Sequence, residues 1–169
     1  QPDYAQSLFL LANIKMQDNQ LTEAKELARK LEIRFPERTD ILELESKIAS
    51  KQKRPKDAIR FLKKAFEIKG SSKLALQLVV AYQADGDSKK GFQVLRNWLD
   101  KNPSDNAVRS VFVELLKANN QFDEAQKHYL EIIKNNPKSI AAHNNLAGLL
   151  VKKNSLDEAL NYAKKAYDL

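Results

Sequence analysis

The chain has 169 residues, 30% of them charged, no cysteine and a net charge of +7. The lack of cysteine excludes disulfides and thiol chemistry, and no apolar run approaches the roughly 18 residues of a membrane span. Only four glycines and five prolines fit continuous helices within one domain by the usual size prior, rather than disorder.

Two apolar-patterned segments open the chain. Leu8, Leu11 and Ala12, followed by Lys15, share one helix face within residues 7–16. After the polar break 17–20, Leu21, Ala24, Leu27, Ala28 and Leu31 continue that spacing on a second helix reaching Phe35. Beyond Pro36 the pattern restarts and breaks at Lys53, where Pro55 fixes the start of the next helix. Ala58, Ile59, Leu62, Ala65 and Phe66 form its apolar face. A third pair breaks at Gly86-Asp87, a fourth at Asn120 and a fifth at Asn154. Asp123 and Asp157, each followed by Glu, place negative charge in a first turn, where the helix dipole favours it.

The pairs are copies of one unit. Ala24, Ala58, Gly91, Ala125 and Ala159 stand 33 to 34 residues apart, and Pro2, Pro36, Pro103 and Pro137 keep the same step, with Gly70 in the third place. Such a period marks a stacked helical repeat. A second apolar slot recurs at Leu31, Ala65, Trp98, Ile132 and Ala166. Asn19, Lys53, Gly86, Asn120 and Asn154 share one turn position; Gly and Asn tolerate the left-handed conformation there, and Lys53 is the expected exception. Small residues on the second helices allow close approach to Ala12, Ser46 and Ala147 on the first. Val79 and Val113 are larger, so units three and four are expected to pack differently, with Gly91 compensating. Trp98 is read as a core residue, with ligand stacking the alternative.

This pattern resembles the tetratricopeptide repeat, a helix–turn–helix module of 34 residues, over essentially the whole chain. The marked positions are Leu8, Leu11, Ala12, Ala24, Ala28, Leu31 and Pro36 in the first unit, and Asn145-Leu-Ala147, Leu156-Asp-Glu-Ala159, Ala163 and Ala166 in the last. The family's early aromatic position is absent, since Leu8, Leu42, Ala75, Arg109 and His143 stand there. The one-residue deletion between Ala58 and Gly91 is placed in the connection 69–72. The resemblance implies an all-α, right-handed α-solenoid of about five units, approximately 1–36, 37–70, 71–103, 104–137 and 138–169. The chain opens on the tail of one unit, residues 1–3, shows no basic-then-apolar signal segment and closes just before the next proline position. It is therefore expected to be a fragment of a longer repeat protein.

A narrower resemblance rests on Asn144 to Leu150 with Leu156 to Leu160, and on Asp40 to Glu45 with Arg54 to Ile59. These segments look like units of a bacterial repeat lipoprotein family that accompanies the PEP-CTERM/exosortase and exopolysaccharide system. It implies a periplasmic or membrane-anchored place, with any lipid anchor outside this chain; without it a cytoplasmic place is expected.

No glycine-rich phosphate loop, paired-histidine metal spacing or Gly-x-Ser-x-Gly elbow is present. His128 and His143 fall in different units and are read as structural, so neither enzyme, metal nor cofactor is expected. Residues 51–69 hold eight cations against Asp57 and Glu67, a patch that nucleic acid or an anionic surface could use. The apolar spacing sets these cations on an outer helix face, and no aromatics alternate with them for base stacking, so a solvated face is favoured.

Function is sought in the groove that the first helices line in the resembled family. Carried over by position, it comprises Gln6, Phe9, Asn13 and Met16; Asp40, Glu43, Lys47 and Ser50; Lys73, Leu76, Val80 and Gln83; Ala107, Ser110, Glu114 and Lys117; and Ala141, Asn144, Gly148 and Val151. Phe9, Asn13, Met16, Glu43, Lys47, Gln83, Glu114, Lys117 and Asn144 are the candidate partner contacts. A protein or peptide partner is expected there, with no clamp of Lys, Arg and Asn for a C-terminal carboxylate. The last helix keeps a core pattern at Ala159, Leu160, Ala163, Ala166 and Tyr167 without a polar cap. Leu150, Tyr167 and Leu169 are thus expected to be exposed and available for end-to-end self-association.

Overall fold

The computed structural model describes residues 2–169, Pro2 and Asp3 by backbone only. Among the described residues it holds ten α-helices and no strand: α1 (Pro2–Gln17), α2 (Leu21–Arg34), α3 (Thr39–Lys51), α4 (Pro55–Ile68), α5 (Ser72–Ala84), α6 (Ser88–Lys101), α7 (Asn106–Ala118), α8 (Phe122–Asn135), α9 (Ile140–Lys152) and α10 (Leu156–Tyr167). They pair in chain order, α1 with α2 and α3 with α4 in one compact unit, Gln1–Val94, and α7 with α8 and α9 with α10 in a second, Leu95–Leu169. The fold is an all-α helical repeat. None of its described helices is long and apolar enough to cross a membrane.

The turns explain why each pair closes so tightly. Asn19, Lys53, Gly86, Asn120 and Asn154 all take positive φ, between 56° and 81°. The next amide in each case bonds back to the helix: Gln20 to Lys15, Arg54 to Ala49, Asp87 to Tyr82, Gln121 to Leu116 and Ser155 to Leu150, each at 2.9 Å. This is the six-to-one closure of a Schellman turn. Lys53 is no exception after all: it accepts φ 56° with a full side chain, because the shared closure and Pro55 at the start of α4 leave the connection no other path.

The links between pairs are four residues long at 35–38, 102–105 and 136–139 but three at 69–71, which locates the deletion where it was expected. Asp105 and Ser139 cap α7 and α9 by accepting from the Val108 and Ala142 amides at 3.0 and 3.2 Å. Ser71 does the same for Leu74 at 3.2 Å. The prolines do not all behave alike. Pro36, Pro103 and Pro137 lie in links, whereas Pro2 lies within α1, which therefore begins earlier than the expected tail at residues 1–3 allows; Gln1 lies outside the described residues.

The repeated small residues lie inside the helix pairs. Ala24, Ala58, Ala125 and Ala159 are all buried, as are Ala12, Ser46, Val79, Val113 and Ala147 opposite. Gly91 meets the enlarged Val79 directly: a Cβ there would lie 3.4 Å from the Val79 Cα and 3.5 Å from the Tyr82 Cβ. Its small size therefore answers Val79.

Four expectations need correction. Trp98 is half-buried, and its Nε1 donates to Asp105 at 2.8 Å, tying α6 to the cap of α7. Leu11 is exposed rather than on the core face. On α10 only Ala159 and Ala166 are buried, while Leu160, Ala163 and Tyr167 are exposed, because α9 covers one face of this helix alone. Leu150 is 1% exposed, since it points into the α9–α10 pair; Tyr167 and Leu169 are exposed as expected.

Candidate binding groove

In the first unit, α1, α3 and α5 line a cleft of about 440 Å³. Its walls are Met16, Lys47, Ser50, Leu76 and Val80 from the expected groove positions, together with Ser46, Lys51, Gln77 and Ala81, and Leu62 enters from α4. A smaller hollow of about 100 Å³ adjoins it through the shared Lys47 and is lined by Phe9, Asn13, Asp40, Glu43, Leu44 and Lys73. Ten of the twelve groove positions carried over to this unit thus line one or the other; Gln6 and Gln83 line neither and stand exposed.

Most polar groups of the groove are already engaged. The Asn13 amide donates to the Phe9 carbonyl at 2.8 Å and the Ser50 hydroxyl to the Ser46 carbonyl at 2.9 Å, both within their own helices. Asp40 holds Arg38 through two bonds of 3.1 and 2.6 Å. Glu43 pairs with Lys73 at 2.5 Å and accepts from Gln77 Nε2 at 3.3 Å. Lys47 and Lys51, by contrast, have no carboxylate within 4 Å among the described residues, although both border the cleft. The floor is apolar and the rim is cationic.

The second unit places Glu114, Lys117 and Asn144 on exposed or half-buried helix surface. Glu114 and Lys117 bond each other at 2.9 Å, and the Tyr129 hydroxyl donates to Glu114 at 3.1 Å. The bond from Lys117 holds the Glu114 carboxyl below its ordinary range. These two candidates neutralise one another, so they offer a partner less than the unpaired lysines of the first unit do.

Two of the five residues that stand at the early aromatic position have a shared task. Arg109 is 5% exposed and donates through Nη2 to the Pro103 carbonyl at 2.6 Å; His143, equally buried, bonds the Pro137 carbonyl through Nε2 at 2.9 Å. Each clips the proline link to the helix that follows. Arg109 Nη1 also lies 3.1 Å from His128 Nδ1. Arginine only donates, so Nδ1 accepts and the imidazole is neutral. Burial, then the Arg109 charge, lower its pKa. Both histidines are thus held in packing roles.

The eight cations of residues 51–69 are exposed, but Lys51 ends α3 and borders the cleft rather than standing on the outer face of α4. Arg54 and Arg60 share Asp57 at 2.6 and 3.9 Å, Arg60 lies over the Phe61 ring at 4.3 Å, and Lys64 reaches Glu32 at 3.0 Å. Part of this charge is balanced locally, and no exposed aromatic row accompanies it.

A family model described as tetratricopeptide repeat matches residues 112–169. Solved structures match nearly the whole chain. A MamA protein crystal structure is 20% identical, covering 99% of this chain and 92% of that one at a TM-score of 0.69. MamA 41-end from Desulfovibrio magneticus RS-1 is 13% identical, over 99% and 95%, at 0.66. YrrB, described as a TPR protein with an unusual peptide-binding site, is 19% identical, over 95% and 84%, at 0.62. At these identities the likeness is one of fold. No curated protein matches the chain.

Proposed function

We propose that this chain, whose tetratricopeptide-repeat match covers residues 112–169, is a non-enzymatic scaffold receiving a partner segment in the groove of its first unit. The observation that carries this reading is the 440 Å³ cleft with its apolar floor and open rim, within the about 300–1,000 Å³ range of ligand sites. Phe9, Met16, Glu43 and Lys47 lie where such a segment would run. A rigid helical surface of this kind binds by shape and side-chain complementarity. YrrB, of the same fold, is itself described as having a peptide-binding site.

Retention of a partner on the immobilised chain tests the reading. Val80→Glu or Phe9→Ala weakens retention by about tenfold or more, while Lys63→Gln with Lys64→Gln leaves it within about twofold. Loss of binding in the outer-face double variant, with a steep fall on adding salt, would put the basic stretch in place of the groove. The narrower lipoprotein resemblance supplies a place for such a scaffold, the bacterial envelope, which fractionation of the native protein tests.

Self-association is a second reading. Leu156, Leu160, Ala163 and Tyr167 form an exposed apolar stripe at i, i+4, i+7 and i+11 of α10. The same register on α4 holds Ile59 and Leu62, both buried, where α5 packs on α4. The stripe is thus shaped for another helix of this repeat.

A further inference from the structure

The cleft of the first unit leaves three chemical demands open. Its floor, Met16, Leu62 and Ala81, is buried within the unit but borders empty space, and Leu76 and Val80 extend that apolar surface to the rim, Val80 at 66% exposure. At the edge stand Lys47 and Lys51, cations without a carboxylate partner among the described residues, while the acids nearby are taken: Glu43 by Lys73 and Gln77, Asp40 by Arg38. The third demand comes from Gln77. Its Nε2 donates to Glu43, which fixes the amide so that Oε1 is the acceptor, and that buried Oε1 has no hydrogen-bond partner. A buried acceptor left unpaired is unfavourable until an N–H reaches it. The Ser50 hydroxyl does not answer, since it is committed to the Ser46 carbonyl.

Resting on the scaffold reading, we propose that this cleft takes an acidic peptide segment carrying one large apolar side chain. The apolar side chain fills the space over Met16, Leu62 and Val80. A peptide N–H reaches Gln77 Oε1, and flanking carboxylates meet Lys47 and Lys51. Charge placed in this way selects against basic segments more than it adds affinity. A nucleic acid would satisfy the lysines but leaves the apolar floor unused, because no aromatic side chain lines the cleft for base stacking.

Backbone-amide NMR titration of the whole chain with short synthetic peptides is the test. One peptide alternates glutamates around a single phenylalanine; a second replaces that phenylalanine by alanine; a third replaces the glutamates by lysine. The first shifts amides within 46–51 and 76–81, whereas the other two bind at least about tenfold more weakly. Val80→Glu abolishes the shifts. Lys47→Gln with Lys51→Gln weakens binding at least about fivefold and flattens its salt dependence, and unchanged circular-dichroism melting shows each variant folded. Equal binding of the lysine or alanine peptide in the cleft overturns the acidic, apolar-anchored assignment while the scaffold reading stands. Shifts confined to Lys56 and Lys63 on the outer face of α4, or no shift at all, also overturn it. The scaffold reading is judged separately, by the effect of Val80→Glu on partner retention.

Discussion

At the residue scale, two positions work against the fold. Lys53 carries a side chain in a left-handed conformation that four equivalent turns give to Asn or Gly. That conformation costs an ordinary residue about 1–2 kcal/mol, part of which glycine returns as chain entropy. Lys53→Gly is therefore expected to stabilise the chain by about 0.5–1 kcal/mol in urea denaturation; a loss of stability would contradict the shared closure. Glu45 is 3% exposed. Burial, reinforced by the nearby Glu32 charge, raises its pKa from 4.5 to about 7. The folded state thus favours the protonated acid: the contribution is fully present below the unfolded value of 4.5 and is lost as pH rises through about 7. Glu45→Gln should melt like the parent at pH 4 and be more stable by about 1–3 kcal/mol at pH 8. His128 has the opposite sign. Its lowered pKa means that stability is lost as pH falls past the ordinary histidine value.

At the element scale, the paired helix is the unit of stability. Ala58 has no exposed surface at the contact of α4 with α3, so Ala58→Leu should overpack and destabilise by about 1–3 kcal/mol. Lys63→Gln, exposed and outside every ion pair among the described residues, should stay within about 0.5 kcal/mol. Lys64 is a poorer control than its spacing suggested, since it reaches Glu32 from a neighbouring pair. Equal melting of the Ala58 and Lys63 variants would refute the register. That register was legible because close packing and left-handed turns restrict residue type so strongly that Ala, Gly and Asn recur at fixed steps. The groove positions came from the resemblance, which supplies the inward places of each first helix; ten of the twelve carried over to the first unit border the cleft or the hollow beside it. Gln77, Lys51 and Leu62 were missed because they enter the cleft through the gap between three helices, which no single helix's period describes. Gln77 did leave a signal as the one polar residue within Leu74–Val80. Arg109 and His143 were legible only as departures from the aromatic position; their reach to the proline carbonyls shows a replacement task.

At the scale of the whole molecule, the chain presents two kinds of surface. The stripe on α10 predicts a particle mass that rises with concentration in light scattering, and Leu160→Lys with Tyr167→Lys should hold it constant; a parent mass constant across the dilution series would contradict that reading. The groove of the first unit carries the central claim. Its most direct test is site-specific photo-cross-linking in cells making the native protein, with a benzophenone side chain placed at Val80 or at Lys63. The account predicts discrete adducts from position 80, suppressed by Leu76→Glu, and none from position 63. Adducts from position 63 with none from position 80 would contradict it.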